Sequence, residues 1–175
     1  VYADHRAMLA ETEEGNILLD TGAGASTSQN AARLGIDLAK IDKLVLSHCH
    51  SDHTGGLRGF LGQRKKEIEI IAHPDIFALK YARLRKDDPL RFVGIAFRRE
   101  ALESGGARFN LTAEPVKLTE NILTTGYVPM VTDFEKVMEA YLQIASNNRR
   151  YDDLRKGVKA QKGLENVISQ ETGEN

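Results

Sequence analysis

The sequence predicts a mixed α/β fold. Three observations carry that expectation. Short apolar runs of strand length recur at 17–19, 43–47 and 68–72. Segments with helix-capping signals alternate with them, and glycine-rich turns fall at the junctions. Hydrophobic residues make up 41% and charged residues 28% of the 175 residues, which suits one globular core rather than a disordered chain. The formal net charge of -1 offers no basic excess for nucleic acid or an anionic membrane surface. No apolar run approaches the ~20 residues of a membrane span. The start, VYADHRAML, lacks the pattern of a signal peptide, and Cys49 is the one cysteine, so no intrachain disulfide is possible. The expected compartment is therefore the cytoplasm.

In chain order, residues 5–11 and 16–20 read as a β-hairpin with Glu13-Glu14-Gly15 at its turn. Asp20-Thr21-Gly22-Ala23-Gly24 is a glycine-rich loop. Ser26 opens a helix with Gln29 as its capping-box partner, and Gly35 suits a left-handed C-cap. Asp37 to Asp42 reads as a short turn or helix. Residues 43–47 and 68–72 read as strands, and Pro74 as the first turn of a helix running to about Leu84. A short helix is expected at 98–104, stopped by Gly105-Gly106, with strand-like pieces at 115–118 and 121–125. Thr132 and Glu135 form a capping box for a helix over 134–145, with Phe134, Val137, Met138, Tyr141, Leu142 and Ala145 on one face. Residues 1–145 thus read as the folded domain, and 146–175 as a polar tail, weakly helical or disordered.

The histidines carry the functional signal. All five, His5, His48, His50, His53 and His73, lie within the first 73 residues. Three fall in the run Ser47-His48-Cys49-His50-Ser51-Asp52-His53-Thr54-Gly55-Gly56, straight after a strand. Residues two apart in extended backbone project to one side, so His48 and His50 can offer imidazoles to one point while Cys49 faces away. Where the chain turns, Asp52 and His53 can reach a second point. Imidazoles with a carboxylate suit Zn²⁺, and also Fe or Mn. An isolated histidine is usually a core or surface residue, but three in six positions interleaved with Asp form a much rarer pattern. Structural zinc sites favour closed, cysteine-rich shells, which this run does not supply.

The HxHxDH run resembles the signature of the metallo-β-lactamase superfamily. The stretch Ile17-Leu18-Leu19-Asp20-Thr21-Gly22 is similar to the strand and loop that precede that signature. Ile71-Ala72-His73-Pro74-Asp75, and Thr125 to Pro129 followed by Phe134-Glu135, resemble the branch of dihydropterin–aminobenzene phosphate synthase-like proteins. The resemblance spans roughly residues 3–145. It implies an αββα sandwich, of which this chain would cover mainly the first αβ half. It implies one or two divalent metals, with His48 and His50 at the first, Asp52 and His53 at the second, and Asp20 steadying the loop by hydrogen bonds. It further implies hydrolysis of an ester, amide or phosphoester, or a related transfer, on a small-molecule substrate, with Asp52 orienting water. His73 and His5 are candidates to line the cleft.

The superfamily also uses histidine and aspartate ligands from later strands, and no histidine follows residue 73 here. That leaves a catalytically impaired or degenerate metal-binding or interaction module as the alternative. An unpaired sheet face would favour a homo-oligomer or pairing with a second chain.

Overall fold

A computed structural model describes residues 7–83, 89–129, 131, 132, 134 and 141–144. The chain divides into two compact units, one from 1–77 and 95–129, the other from 78–94 and 130–175. The first is built on a five-stranded sheet. Its strands are β1 (Met8–Thr12), β2 (Gly15–Leu19), β3 (Lys43–Val45), β4 (Ile68–Ala72) and β7 (Ala107–Leu111), in the order β1-β2-β3-β4-β7. β1 and β2 form the antiparallel hairpin expected around Gly15; β2, β3, β4 and β7 run parallel.

Parallel neighbours need crossovers. Helix α1 (Ser26–Leu34) connects β2 to β3, helices α2 (Ser51–Thr54) and α3 (Leu57–Gly62) connect β3 to β4, and α4 (Arg99–Ser104) leads into β7. The strands' alternation separates two faces. Leu18, Leu44 and Ile70 stand in register and pack with Ala31, Leu57, Phe60, Leu61 and Leu102 of the helices, forming the core. Leu19, Val45 and Ile71 stand in register on the opposite face. There, with the returning segment 112–126, they line a cavity of about 460 Å³. That segment is tied down where Lys43 Nζ donates to the Leu118 carbonyl and Glu120 N donates to the Glu14 carboxylate.

Several expectations need correction. Ser26 is the first helical residue rather than the cap: Ala25 holds the cap position, and the Ser26 hydroxyl donates to the Ala23 carbonyl. Gly35 closes α1 in the left-handed conformation, with φ of 71°, as its lack of a Cβ allows. The helix expected from Pro74 is a single 3-10 turn, Pro74–Phe77, followed by strand β5 (Leu79–Ala82). Residues 115–118 and 121–125 make one isolated bridge, Lys117 to Leu123. Of the helix expected over 134–145, residues 135–140 lie outside the described residues and Tyr141–Ile144 form strand β8 instead.

Leu79–Ala82 and Tyr141–Ile144 are strand for the same reason. In the second unit β5 lies between β6 (Arg91–Phe92) and β8, antiparallel to each, and the Tyr81 ring packs edge-on against Phe92 at 5.5 Å. Short apolar runs are ambiguous between helix and strand, and ladder partners distant in sequence decide them. Residues 146–175 lie outside the described residues. Among the described residues no helix is long and apolar enough to cross a membrane.

Candidate metal centre

Strands β2, β3, β4 and β7 end side by side, and ligands of open parallel sheets bind at such carboxyl ends. Asp20 follows β2, Ser47 and His48 follow β3, and His73 follows β4. The sheet order thus brings the glycine-rich loop beside the histidine run.

Asp20 organises the centre. Its backbone takes φ of 57°, a left-handed conformation that Asp tolerates better than most residues, and its side chain is buried. Oδ1 accepts from Ser47 N at 2.8 Å. Oδ2 accepts from Ser47 Oγ at 2.6 Å and from His53 Nδ1 at 2.7 Å. Thr21, fully buried, donates to the His53 carbonyl through both its backbone N and its Oγ1, at 2.7 and 3.0 Å. The loop after β2 therefore holds His53 by side chain and backbone together.

After His50 the chain turns into α2. Thr54 Oγ1 donates to the His50 carbonyl at 3.0 Å, closing the turn back on the motif. Gly55 and Gly56 have ordinary helical φ values of -63° and -82°. Their role is close approach: a Cβ on Gly55 would lie 2.6 Å from the Ser51 carbonyl and 2.8 Å from Gly24 N, and one on Gly56 would overlap the Thr21 carbonyl.

The rings of His48 and His50 lie 4.6 Å apart, and those of His48 and His53 4.0 Å apart. Cys49 between them is buried in the core, on the side away from the imidazoles, although β3 itself ends at Val45. Asp52 Oδ2 sits 3.6 Å from His53 Nε2. Burial pushes the His48 imidazole below its ordinary pKa, and the neighbouring His53 and His50 push the same way, against the pull of Asp20 and Asp52. The shift keeps His48 neutral to lower pH, in the form with a lone pair to donate.

The donor chemistry of this cluster suits a divalent cation: three imidazoles, one with its Nδ1 engaged by a carboxylate as metal-ligating histidines usually are, and a carboxylate alongside. Among the described residues no group of three or more His, Cys, Asp or Glu side chains already stands in metal-holding geometry. His48, His50, Asp52 and His53 are thus gathered as neighbours, with Asp20 bonded to His53. His73 stands apart from these bonds; its Nδ1 accepts from Asp75 N, and its ring lies 6.2 Å from Tyr127. It lines the cavity on the sheet face together with Ser47. His5 lies outside the described residues. The sequence reading missed Ser47 and Thr21; their positions, directly before the first motif histidine and directly after Asp20, were the available signal.

The sequence model described as the Metallo-beta-lactamase superfamily matches residues 4–131, and the chain belongs to that superfamily. It is 36% identical over 124 residues to the 7,8-dihydropterin-6-methyl-4-(beta-D-ribofuranosyl)-aminobenzene-5'-phosphate synthase of Methanocaldococcus jannaschii, covering 69% of this chain and 40% of that protein. It is 30% identical over 154 residues to an uncharacterized protein of the same organism, covering 87% of this chain and 57% of the other. Among solved structures, a metal-dependent hydrolase of the beta-lactamase superfamily is similar at 22% identity and a TM-score of 0.48, covering 65% of this chain and 41% of that one. The chain spans 40% and 57% of the length of the two curated relatives.

Proposed function

We propose that the chain carries the HxHxDH part of a metal-dependent hydrolase centre, with His48 and His50 holding one divalent cation, Zn²⁺ first among Zn, Fe and Mn, and Asp52 and His53 holding a second. The observation that supports this reading is the cluster itself: three imidazoles and Asp52 beyond the carboxyl end of β3, with His53 held by Asp20. A cation at that point supplies Lewis-acid polarisation of the scissile bond and activation of water near neutral pH. The protein's part is positional. Asp20 and Thr21 fix His53, the turn closed by Thr54 fixes His50, and Asp52 orients the attacking water and accepts its proton. The substrate is a small-molecule ester, amide or phosphoester. A related transfer fits the same groups, since the relative at 36% identity is named a synthase. The working compartment is the cytoplasm, in keeping with the sole cysteine being a buried thiol.

Elemental analysis of the chain purified without added metal tests the reading, paired with hydrolysis of a generic phosphodiester or lactone. Stoichiometric divalent metal is expected. Asp52→Asn should lower turnover much more than it lowers metal content, because an amide is a poor base. Absence of any bound metal would overturn the proposal, and equal turnover would remove Asp52 from it.

A further inference from the structure

We propose that Ser47 is a positioning residue: it extends the hold of Asp20 from His53 to His48, and so sets which ring nitrogen His48 offers to a cation. The inference rests on the metal reading above and adds a group that reading does not use.

Proton counting fixes the direction of each bond. A carboxylate accepts and does not donate, so at the 2.6 Å contact with Asp20 Oδ2 the Ser47 hydroxyl must be the donor. That contact spends its one proton. Ser47 Oγ also lies 3.0 Å from His48 Nδ1, and there it can only accept. His48 therefore carries its proton on Nδ1, which leaves Nε2 with the lone pair. The same logic holds for His53, whose Nδ1 lies 2.7 Å from Asp20 Oδ2 and must donate to it. Ser47 Oγ is farther from His53 Nδ1, at 3.3 Å, so Asp20 remains that ring's main acceptor. One carboxylate thus sets both tautomers, directly for His53 and through a hydroxyl relay for His48. Partners that orient metal-ligating histidines in this way typically affect metal affinity by about 10–100-fold.

The hydroxyl is not what anchors the strand end. Ser47 N already donates to Asp20 Oδ1 at 2.8 Å, a backbone bond that any residue at position 47 other than proline can make. Ser47→Ala therefore removes the relay and leaves the anchor in place.

The test uses the full chain. Imidazole nitrogen shifts are read by long-range proton–nitrogen NMR in metal-free protein, at a pH above the ordinary imidazole range, and Co²⁺ is then titrated by its visible absorption. Wild type and Ser47→Thr should both show His48 protonated at Nδ1. Ser47→Ala should move His48 toward the Nε2–H form that free imidazole side chains prefer in water, leave His53 unchanged, and weaken Co²⁺ binding about tenfold or more. If Ser47→Ala does not fold, Ser47→Cys, whose sulfur is a weak acceptor, takes its place. A His48 that keeps its Nδ1 proton in the variant, or a threonine that restores neither readout, would overturn the role of Ser47. A wild-type chain that takes up no Co²⁺ would instead overturn the metal reading on which the proposal stands.

Discussion

Asp20 is buried and left-handed, and its carboxylate accepts three hydrogen bonds, two from Ser47 and one from His53. Asparagine shares its tolerance of the left-handed region, so Asp20→Asn isolates the carboxylate from the backbone. The variant should fold and lose about 10–100-fold in metal affinity, because His53 is no longer held in one tautomer; a competition titration with a chromophoric chelator measures this. His48→Ala and His50→Ala act on the ligands themselves. Each should abolish tight binding, since the remaining imidazoles and Asp52 are too few to compensate. Unchanged metal stoichiometry in both alanine variants would count against the assignment.

At the scale of elements, the junction of α2 and α3 depends on Gly55 and Gly56 lying against the loop after β2. Gly56→Ala must push either α3 or the Thr21 carbonyl aside. Overpacking of that kind costs roughly 1–3 kcal/mol, occasionally more, and urea denaturation followed by far-UV circular dichroism would register it; a wild-type midpoint would show that the loop yields freely. Strands β1 to β4 were readable because turn residues bound them, as Gly15 and the Asp20–Gly24 loop bound β2. The histidine cluster was readable because it occupies six consecutive positions at a strand end. The register that sets Asp20 against His53 was not, because no local pattern links residues 33 apart. β7 was missed for a related reason: Ala107–Leu111 becomes a strand by pairing with β4. Tyr141–Ile144 and Leu79–Ala82 misread as helix because each needs the other to be a strand.

At the scale of the whole molecule, the sheet face carrying Leu19, Val45 and Ile71 remains incompletely filled, and Met8 and Leu123, which line the same cavity, are 66% and 65% exposed. Apolar surface of this kind favours association, so the purified chain is expected to self-associate through this face. Multi-angle light scattering should give a mass above that of one chain, and Leu19→Glu should restore the monomer; a monodisperse wild-type monomer would refute the expectation. The contacts between the loop after β2 and the histidine run carry a further consequence. Asp20 with His53, Thr21 with His53 and Ser47 with Asp20 join residues 33, 32 and 27 apart. A cation held by residues 48–53 would close only a short loop itself, but it would favour the His53 orientation on which these long-range hydrogen bonds depend. Occupancy and folding would be linked by mass action, and a hundredfold excess over the dissociation constant would add about 2.7 kcal/mol to the stability of the folded form. A chelator would then behave toward this unit as a denaturant does, loosening the loops at the carboxyl ends of β2 and β3 without touching its core.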